Sequence, residues 1–273
     1  MRIREALAQA QPLGVARLDA QWLLGHLLRR KRTWLLAHDD EPLTAADAAT
    51  WQALLARRAA GEPLAYVLGE REFCGLKLRV TPAVLVPRPE TEVLVDWALQ
   101  CLAGVPAPDV VDLGTGSGAI ALALRRARPD ARVTATDASP GAAAIARINA
   151  ERLGLTLTLS IGDWWQAVPG QRFGLALSNP PYISAGDPHL AALVHEPSVA
   201  LTSGVDGLDA LRQIVHGAPD HLEPGAWLLL EHGHDQAAAV QTLLHARGFD
   251  EAQTRADLAG LPRCTGARWP GAT

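Results

Sequence analysis

Lysine is almost missing from this sequence: Lys31 and Lys77 are its two, and with 25 Lys+Arg against 29 Asp+Glu the formal net charge is −4. That balance excludes a protein that grips long stretches of nucleic acid by counterion release, which needs clustered basic charge. Cysteine is equally scarce, with Cys74, Cys101 and Cys264 set far apart. An odd number without C-x-x-C or Cys/His spacing argues against a disulfide scaffold or a zinc knuckle and fits a reducing compartment. No apolar run approaches the roughly 18 residues of a membrane helix. The opening Met1-Arg-Ile-Arg-Glu-Ala-Leu7 puts charges where a signal peptide needs apolar residues. These absences predict a soluble, cytoplasmic protein with neither a membrane nor a stable nucleic-acid partner.

What is present is apolar residue in quantity, 48% of 273, enough for one large α/β domain and a smaller companion. Helical spacing runs through the start: Ile3, Leu7 and Ala10, then Leu18, Trp22, Leu23 and Leu27, then Trp51, Leu54 and Leu55. Thr44 reads as an N-cap with Asp47 in the first turn, and Gly61-Glu62-Pro63 stops that helix. Residues 1–72 are thus expected to form a small helical bundle. From Phe73 to Val80 the pattern alternates as in a strand or hairpin, and Thr81 to Thr91 is proline-rich. Residues 73–91 are therefore assigned to a hairpin and stiff linker. Beyond it, in 92–273, strand and helix patterns alternate from Asp109 onward, with Leu208 to Leu222 and Gln236 to Arg247 reading as helices on either side of a buried strand, Trp227 to Glu231, and Phe249 to Trp269 reads as an antiparallel edge pair. This predicts an α/β fold: a mostly parallel sheet flanked by helices, with an antiparallel edge.

Asp112-Leu113-Gly114-Thr115-Gly116-Ser117-Gly118 falls where a strand ends and a helix begins. Glycines there let a ligand approach backbone amides at the carboxyl edge of the sheet, although the spacing is not the dinucleotide G-x-G-x-x-G. Asp137 ends the next strand, where a carboxylate can accept ribose hydroxyls; the competing role, capping the helix that starts at Pro140, falls to Asp137 or Ser139. Asp163-Trp164-Trp165 follows the third strand and offers a carboxylate for an adenine amino group and an indole for its ring; which indole serves stays open. Asn179-Pro180-Pro181-Tyr182 directly follows the strand Phe173 to Ser178. Its two prolines fix the backbone so that the Pro180 carbonyl and the Asn179 side-chain oxygen can face one planar NH2 group, with Tyr182 packing on that group's face. His232-Gly-His234, with His245 nearby, reads as a strand end and an exposed helix, so no metal is expected.

Together the glycine turn, Asp137 and Asn179 to Tyr182 resemble the class I S-adenosylmethionine methyltransferases that modify planar NH2 groups, with their Rossmann-like sheet. The segments Val86-Pro87-Arg88-Pro89-Glu90-Thr91-Glu92, Glu196 to Gly207 and Glu231-His232-Gly233 narrow the resemblance to the release factor glutamine methyltransferases, the HemK/PrmC family. It implies that Gly114, Thr115, Gly116, Ser117, Gly118, Asp137, Asp163, Trp164 and Asn179 contact S-adenosyl-L-methionine. It implies further that Asn179, Pro180 and Tyr182 carry the catalysis. They would hold the substrate glutamine with Pro181, while Arg88 and Glu90 stand at the mouth. The partner implied is a class 1 peptide chain release factor, recognised through the helical bundle; a ribosomal-protein glutamine or a nucleic-acid adenine is the alternative acceptor. His195, Ser203 and Pro262 depart from the family pattern.

Overall fold

The computed structural model describes residues 1–271, which form two compact units, Met1–Glu70 and Arg71 onward. The first unit is helical: α1 (Ile3–Ala8), α2 (Arg17–Leu28), α3 (Arg32–Ala37), α4 (Ala45–Ala59) and α5 (Leu64–Leu68). Its core gathers Ile3, Leu23, Leu24, Leu35, Trp51 and Leu55. The Thr44 hydroxyl accepts from Asp47 N at 3.0 Å, capping α4 as its sequence predicts. Two residues in the expected apolar spacing face outward, Leu18 and Trp22, each 48% exposed. The Arg32 guanidinium stands over the exposed Trp22 ring, 5.5 Å from its centre. Arg29, the C-cap of α2, turns left-handed at φ 53°.

The hairpin expected from Phe73 begins earlier: β1 (Glu70–Phe73) and β2 (Leu76–Arg79) meet in a two-residue turn. Cys74 and Gly75 both have positive φ (46° and 71°), the type I′ geometry that matches the twist of paired strands. The proline-rich segment follows. Then comes α6 (Glu92–Cys101), ahead of the alternation expected from Asp109 onward. Its Trp97 is buried on the sheet because Gly266 beneath it has no side chain; a Cβ there would stand 2.8 Å from the indole.

The second unit alternates as expected: β3 (Asp109–Leu113), α7 (Ala119–Ala127), β4 (Arg132–Asp137), α8 (Pro140–Leu153), β5 (Thr158–Ile161) and β6 (Phe173–Ser178). There follow α9 (Asp209–His221), β7 (Leu222–Glu231), α10 (Ala237–Ala246), β8 (Asp250–Ala256) and β9 (Pro262–Arg268). The strand order is β5-β4-β3-β6-β7-β9-β8. The first five run parallel, and β9 pairs antiparallel with both β7 and β8. Strand β7 was expected from Trp227; its regular register with β6 does begin there, after an irregular stretch following the Leu222–Phe173 pair. Alternate residues serve two cores, as in a sheet buried on both faces. Val110, Leu175, Leu177 and Leu229 pack with α6 and α7, whereas Val111, Leu113, Leu228 and Leu230 pack with α9 and α10. All parallel strands therefore point their carboxyl ends at one edge, and chain order reverses beside β3 there, so a crevice opens outside it.

Candidate active site

At the end of β3 the chain turns through Gly114, Gly116 and Gly118, with φ 72°, 57° and 81°. Gly114 has a second reason to lack a side chain, since a Cβ there would lie 3.1 Å from the Trp164 ring. Gly118 caps α7, and a Cβ on it would press on Leu122 and Ala146 at 3.1 and 3.2 Å. It serves helix packing and is not part of the cavity that Gly114, Thr115, Gly116 and Ser117 line. Two residues without a role in the sequence reading hold this turn. Asp112, fully buried, accepts from the Thr115 hydroxyl at 2.6 Å and from Ala121 N at 3.2 Å. Asn149 of α8, also fully buried, donates to Ser117 O at 2.9 Å and pairs with the backbone of Arg79.

Asp137 closes β4 beside the turn. Its Oδ2 accepts from Gly116 N and its Oδ1 from Ser139 N, both at 2.8 Å. Each carboxylate oxygen keeps a further lone pair for a ligand hydroxyl. The capping role falls to Ser139, whose hydroxyl accepts from Ala142 N. Beyond β5, Trp164 adopts φ 45°, costly for a bulky residue, and with Asp163 lines the same cavity. Trp165 belongs to the core: its Nε1 donates to Ile214 O at 2.8 Å and its ring stacks on His221. The cavity, about 250 Å³, is completed by Asn179, Pro181, Val199 and the proline-rich segment, Arg88 and Thr91 included.

A second cavity of about 100 Å³ adjoins it, lined by Leu85, Arg88, Asn179, Pro180, Tyr182, Ile183 and neighbours. Asn179 and Arg88 line both cavities, whereas Glu90 is exposed and lines neither. Arg88 is held by an ion pair with Glu196, whose other oxygen accepts from Val86 N at 3.0 Å. Glu196 thus fixes the proline-rich wall, which no local pattern could reveal across 110 residues. The loop after the motif returns to it: Ile183 N donates to Leu201 O and Ser203 N to Ile183 O, both at 2.9 Å. Ser203, departing from the family pattern, spends its hydroxyl on Ala210 N at 2.7 Å, near the start of α9. Gly207 must lack a side chain because a Cβ would lie 2.2 Å from the Tyr182 carbonyl, which also accepts from Gln236 Nε2 at 3.0 Å.

Behind Asn179 lies a buried polar group. Asn179 Nδ2 donates to Thr91 Oγ1 at 3.1 Å, and Tyr182 OH stands 3.4 Å from Glu231 Oε1 at the end of β7. Burial pushes the Glu231 carboxyl up to about 7, against the pull of Thr91, Arg263 and Tyr182. Burial also raises the Asp112 carboxyl to about 7 and that of Asp137 above its usual range. His232 is buried too, bonded to Thr265 Oγ1 at 2.8 Å, and burial lowers its pKa. Among the described residues no group of three or more His, Cys, Asp or Glu side chains is placed to hold a metal.

A cradle of backbone amides, a carboxylate and an indole at one sheet edge, over this strand order, define a class I methyltransferase. Models of the PrmC N-terminal domain and the methyltransferase small domain match residues 1–69 and 91–206. The release factor glutamine methyltransferase of Bordetella pertussis is 52% identical over 256 residues, covering 93% of this chain and 95% of its own. That of Burkholderia pseudomallei is 52% identical over 274 residues, covering 97% and 95%. A solved methyltransferase from Pyrococcus furiosus, 20% identical, shares the fold at a TM-score of 0.53 over 82% of this chain and 100% of that one. The chain belongs to the release factor glutamine methyltransferase family. Among the described residues no helix is long and apolar enough to cross a membrane.

Proposed function

We propose that this chain transfers a methyl group from S-adenosyl-L-methionine to the side-chain amide nitrogen of a glutamine in a class 1 peptide chain release factor, within its Gly-Gly-Gln motif. The observation that carries this reading is the meeting of two cavities at Asn179. The larger, with Gly114 to Ser117, Asp137, Asp163 and Trp164, has the donors, acceptors and flat wall that suit a nucleoside. The smaller, with Pro180, Tyr182 and aliphatic walls, suits an amide on a methylene stem.

The cofactor supplies an electrophilic methyl group. Everything else asked of the chain is alignment. An amide nitrogen is a poor nucleophile because its lone pair is shared with the carbonyl. The Asn179 oxygen and the Pro180 carbonyl, accepting its two N–H groups, would hold it as it pyramidalises, and Pro181 and Tyr182 would confine it. Alignment of this kind supplies roughly 7–11 kcal/mol, and water can take the proton that the cationic product sheds, so no general base is required. Arg88, fixed by Glu196, shapes the wall between the cavities, and Glu90 lies outside them at the surface. Two glycines before the acceptor let the substrate backbone approach closely.

The helical unit is assigned to partner selection, because every motif directed at the cofactor or the amide lies beyond residue 80. A cytoplasmic location fits that partner. The test is reaction of the full chain with labelled cofactor and an intact release factor, followed by peptide mass and fragmentation. A single methyl on the Gly-Gly-Gln glutamine is expected. Methyl transfer to DNA or RNA adenine with none to the protein overturns the proposal.

A further inference from the structure

The turn Asn179-Pro180-Pro181-Tyr182 is held firmly at its start. Asn179 follows directly on β6, whose last residue, Ser178, donates its hydroxyl to Leu113 O at 2.6 Å, and Asn179 Nδ2 donates to Thr91 Oγ1 at 3.1 Å. The two prolines stiffen the middle by fixing φ. Rotation about ψ of each proline and about φ of Tyr182 stays free, so the far end, where the Tyr182 ring lines the smaller cavity, needs an anchor of its own. Gln236, half-buried between the end of β7 and the start of α10, supplies it. Its Nε2 donates to the Tyr182 carbonyl at 3.0 Å, and its Oε1 accepts from Gly233 N at 2.9 Å. The two ends of the amide thus meet partners of opposite kind, a carbonyl that only accepts and an N–H that only donates. A carboxylate or a thioether of similar length satisfies at most one of them. Gly207 keeps the space open, since a Cβ there would stand 2.7 Å from Gln236 Nε2.

We propose that Gln236 is a positioning residue for methyl transfer: by holding the Tyr182 carbonyl it fixes the far end of the Asn179–Tyr182 turn, and with it the wall that aligns the acceptor amide. This rests on the reading of the smaller cavity as the acceptor pocket. Gln236 lines neither of the two cavities, so its effect passes through Tyr182. Glu231 adds a second hold on the same residue, its Oε1 standing 3.4 Å from the Tyr182 hydroxyl. The short stretch from Glu231 to Gln236 therefore grips Tyr182 by its ring and by its backbone, while the prolines carry that constraint back toward Asn179.

The experiment compares the native full-length chain with Gln236→Glu, Gln236→Met and Tyr182→Ala. It measures kcat and KM on an intact release factor, calorimetric cofactor affinity and melting temperature, at about pH 8 so that an introduced carboxyl is ionised. Gln236→Glu keeps an acceptor for Gly233 N but turns an oxygen on the Tyr182 carbonyl, whereas Gln236→Met loses both bonds without repulsion. A side chain that only braced the Gly233 turn would suffer more from Met; one that positions Tyr182 suffers at least as much from Glu. Gln236→Glu should lose at least about tenfold in kcat while KM and cofactor affinity stay within about threefold of native, because alignment in the transition state is lost and binding is not. Gln236→Met should lose no more kcat than that and melt no higher. Native kcat in Gln236→Glu overturns the proposal, as does a loss carried by KM or by cofactor affinity, or a Gln236→Met slower than Gln236→Glu. If Gln236→Glu does not fold, Gln236→Met decides: a loss of at least about threefold in kcat at native KM supports the proposal, and native kcat overturns it. Tyr182→Ala separates the two levels: if it is fully active the reading of the acceptor pocket fails, whereas if it is inactive while both Gln236 variants are native only the positioning role fails.

Discussion

Gly114 answers two demands at once, a left-handed backbone at φ 72° and the nearness of the Trp164 ring. Gly114→Ala should therefore push the indole from the cavity as well as strain the turn, and cofactor affinity by calorimetry should drop at least about tenfold, about 1.4 kcal/mol. Asp137→Ala should cost about 1.5–3 kcal/mol of cofactor affinity, the usual loss for a charged acceptor, and unchanged affinity would remove Asp137 from the site. These residues were legible in the sequence because each sits at a strand's end, where local pattern gives both type and place. Glu196, Asn149 and the Thr91 hydroxyl were not. Their partners lie 110, 70 and 88 residues away, beyond anything spacing can show. The choice between the two indoles was likewise invisible, since it turns on a positive φ at Trp164 and on a partner for Trp165 in α9.

At the level of elements, those with clear period and punctuation are legible close to their ends: β6 has the predicted bounds and α9 and α10 differ by a residue at each end, whereas β7 starts at Leu222, ahead of the expected Trp227. α6 escaped because its anchor is tertiary, Trp97 on the bare backbone of Gly266. The Thr44 cap gives an independent test of the helical unit. Thr44→Ala should lower stability by roughly 0.5–2 kcal/mol, measured by denaturation, and leave cofactor affinity untouched. If that affinity shifts as well, the partition of roles between the units is wrong.

For the whole molecule, pH dependence follows from the two carboxyls that burial raises. Asp112 and Glu231 rise from 3.8 and 4.5 to about 7 each. Folding therefore favours their protonated forms, so the stability they contribute is full below about pH 4 and lost as pH rises through about 7. Asp112→Asn removes that loss, and by thermal melting it should gain roughly 1–3 kcal/mol more at about pH 8 than at about pH 5. Equal shifts at both would mean that Asp112 is ionised in the folded chain at little cost. The proposed division of labour is testable by shortening the chain. Because β1 starts at Glu70, a chain beginning a few residues before it keeps the hairpin whole. It should bind cofactor like the full protein and lose most methylation of an intact release factor, a loss that mass spectrometry would show.

The strand order has a consequence in time. During synthesis β8 leaves the ribosome before β9, yet β9 is the one that lies against β7, with β8 outside it. Until Pro262–Arg268 is available, β7 has one open flank, and Leu228, Leu229 and Leu230, fully buried in the finished fold, stand next to unpaired backbone. Arg263, whose charge acts on Tyr182 and Glu231, arrives on that same strand. The nascent chain thus passes through a stage with its cofactor strands complete and its sheet unsealed, when the open flank of β7 is free to pair with the wrong edge.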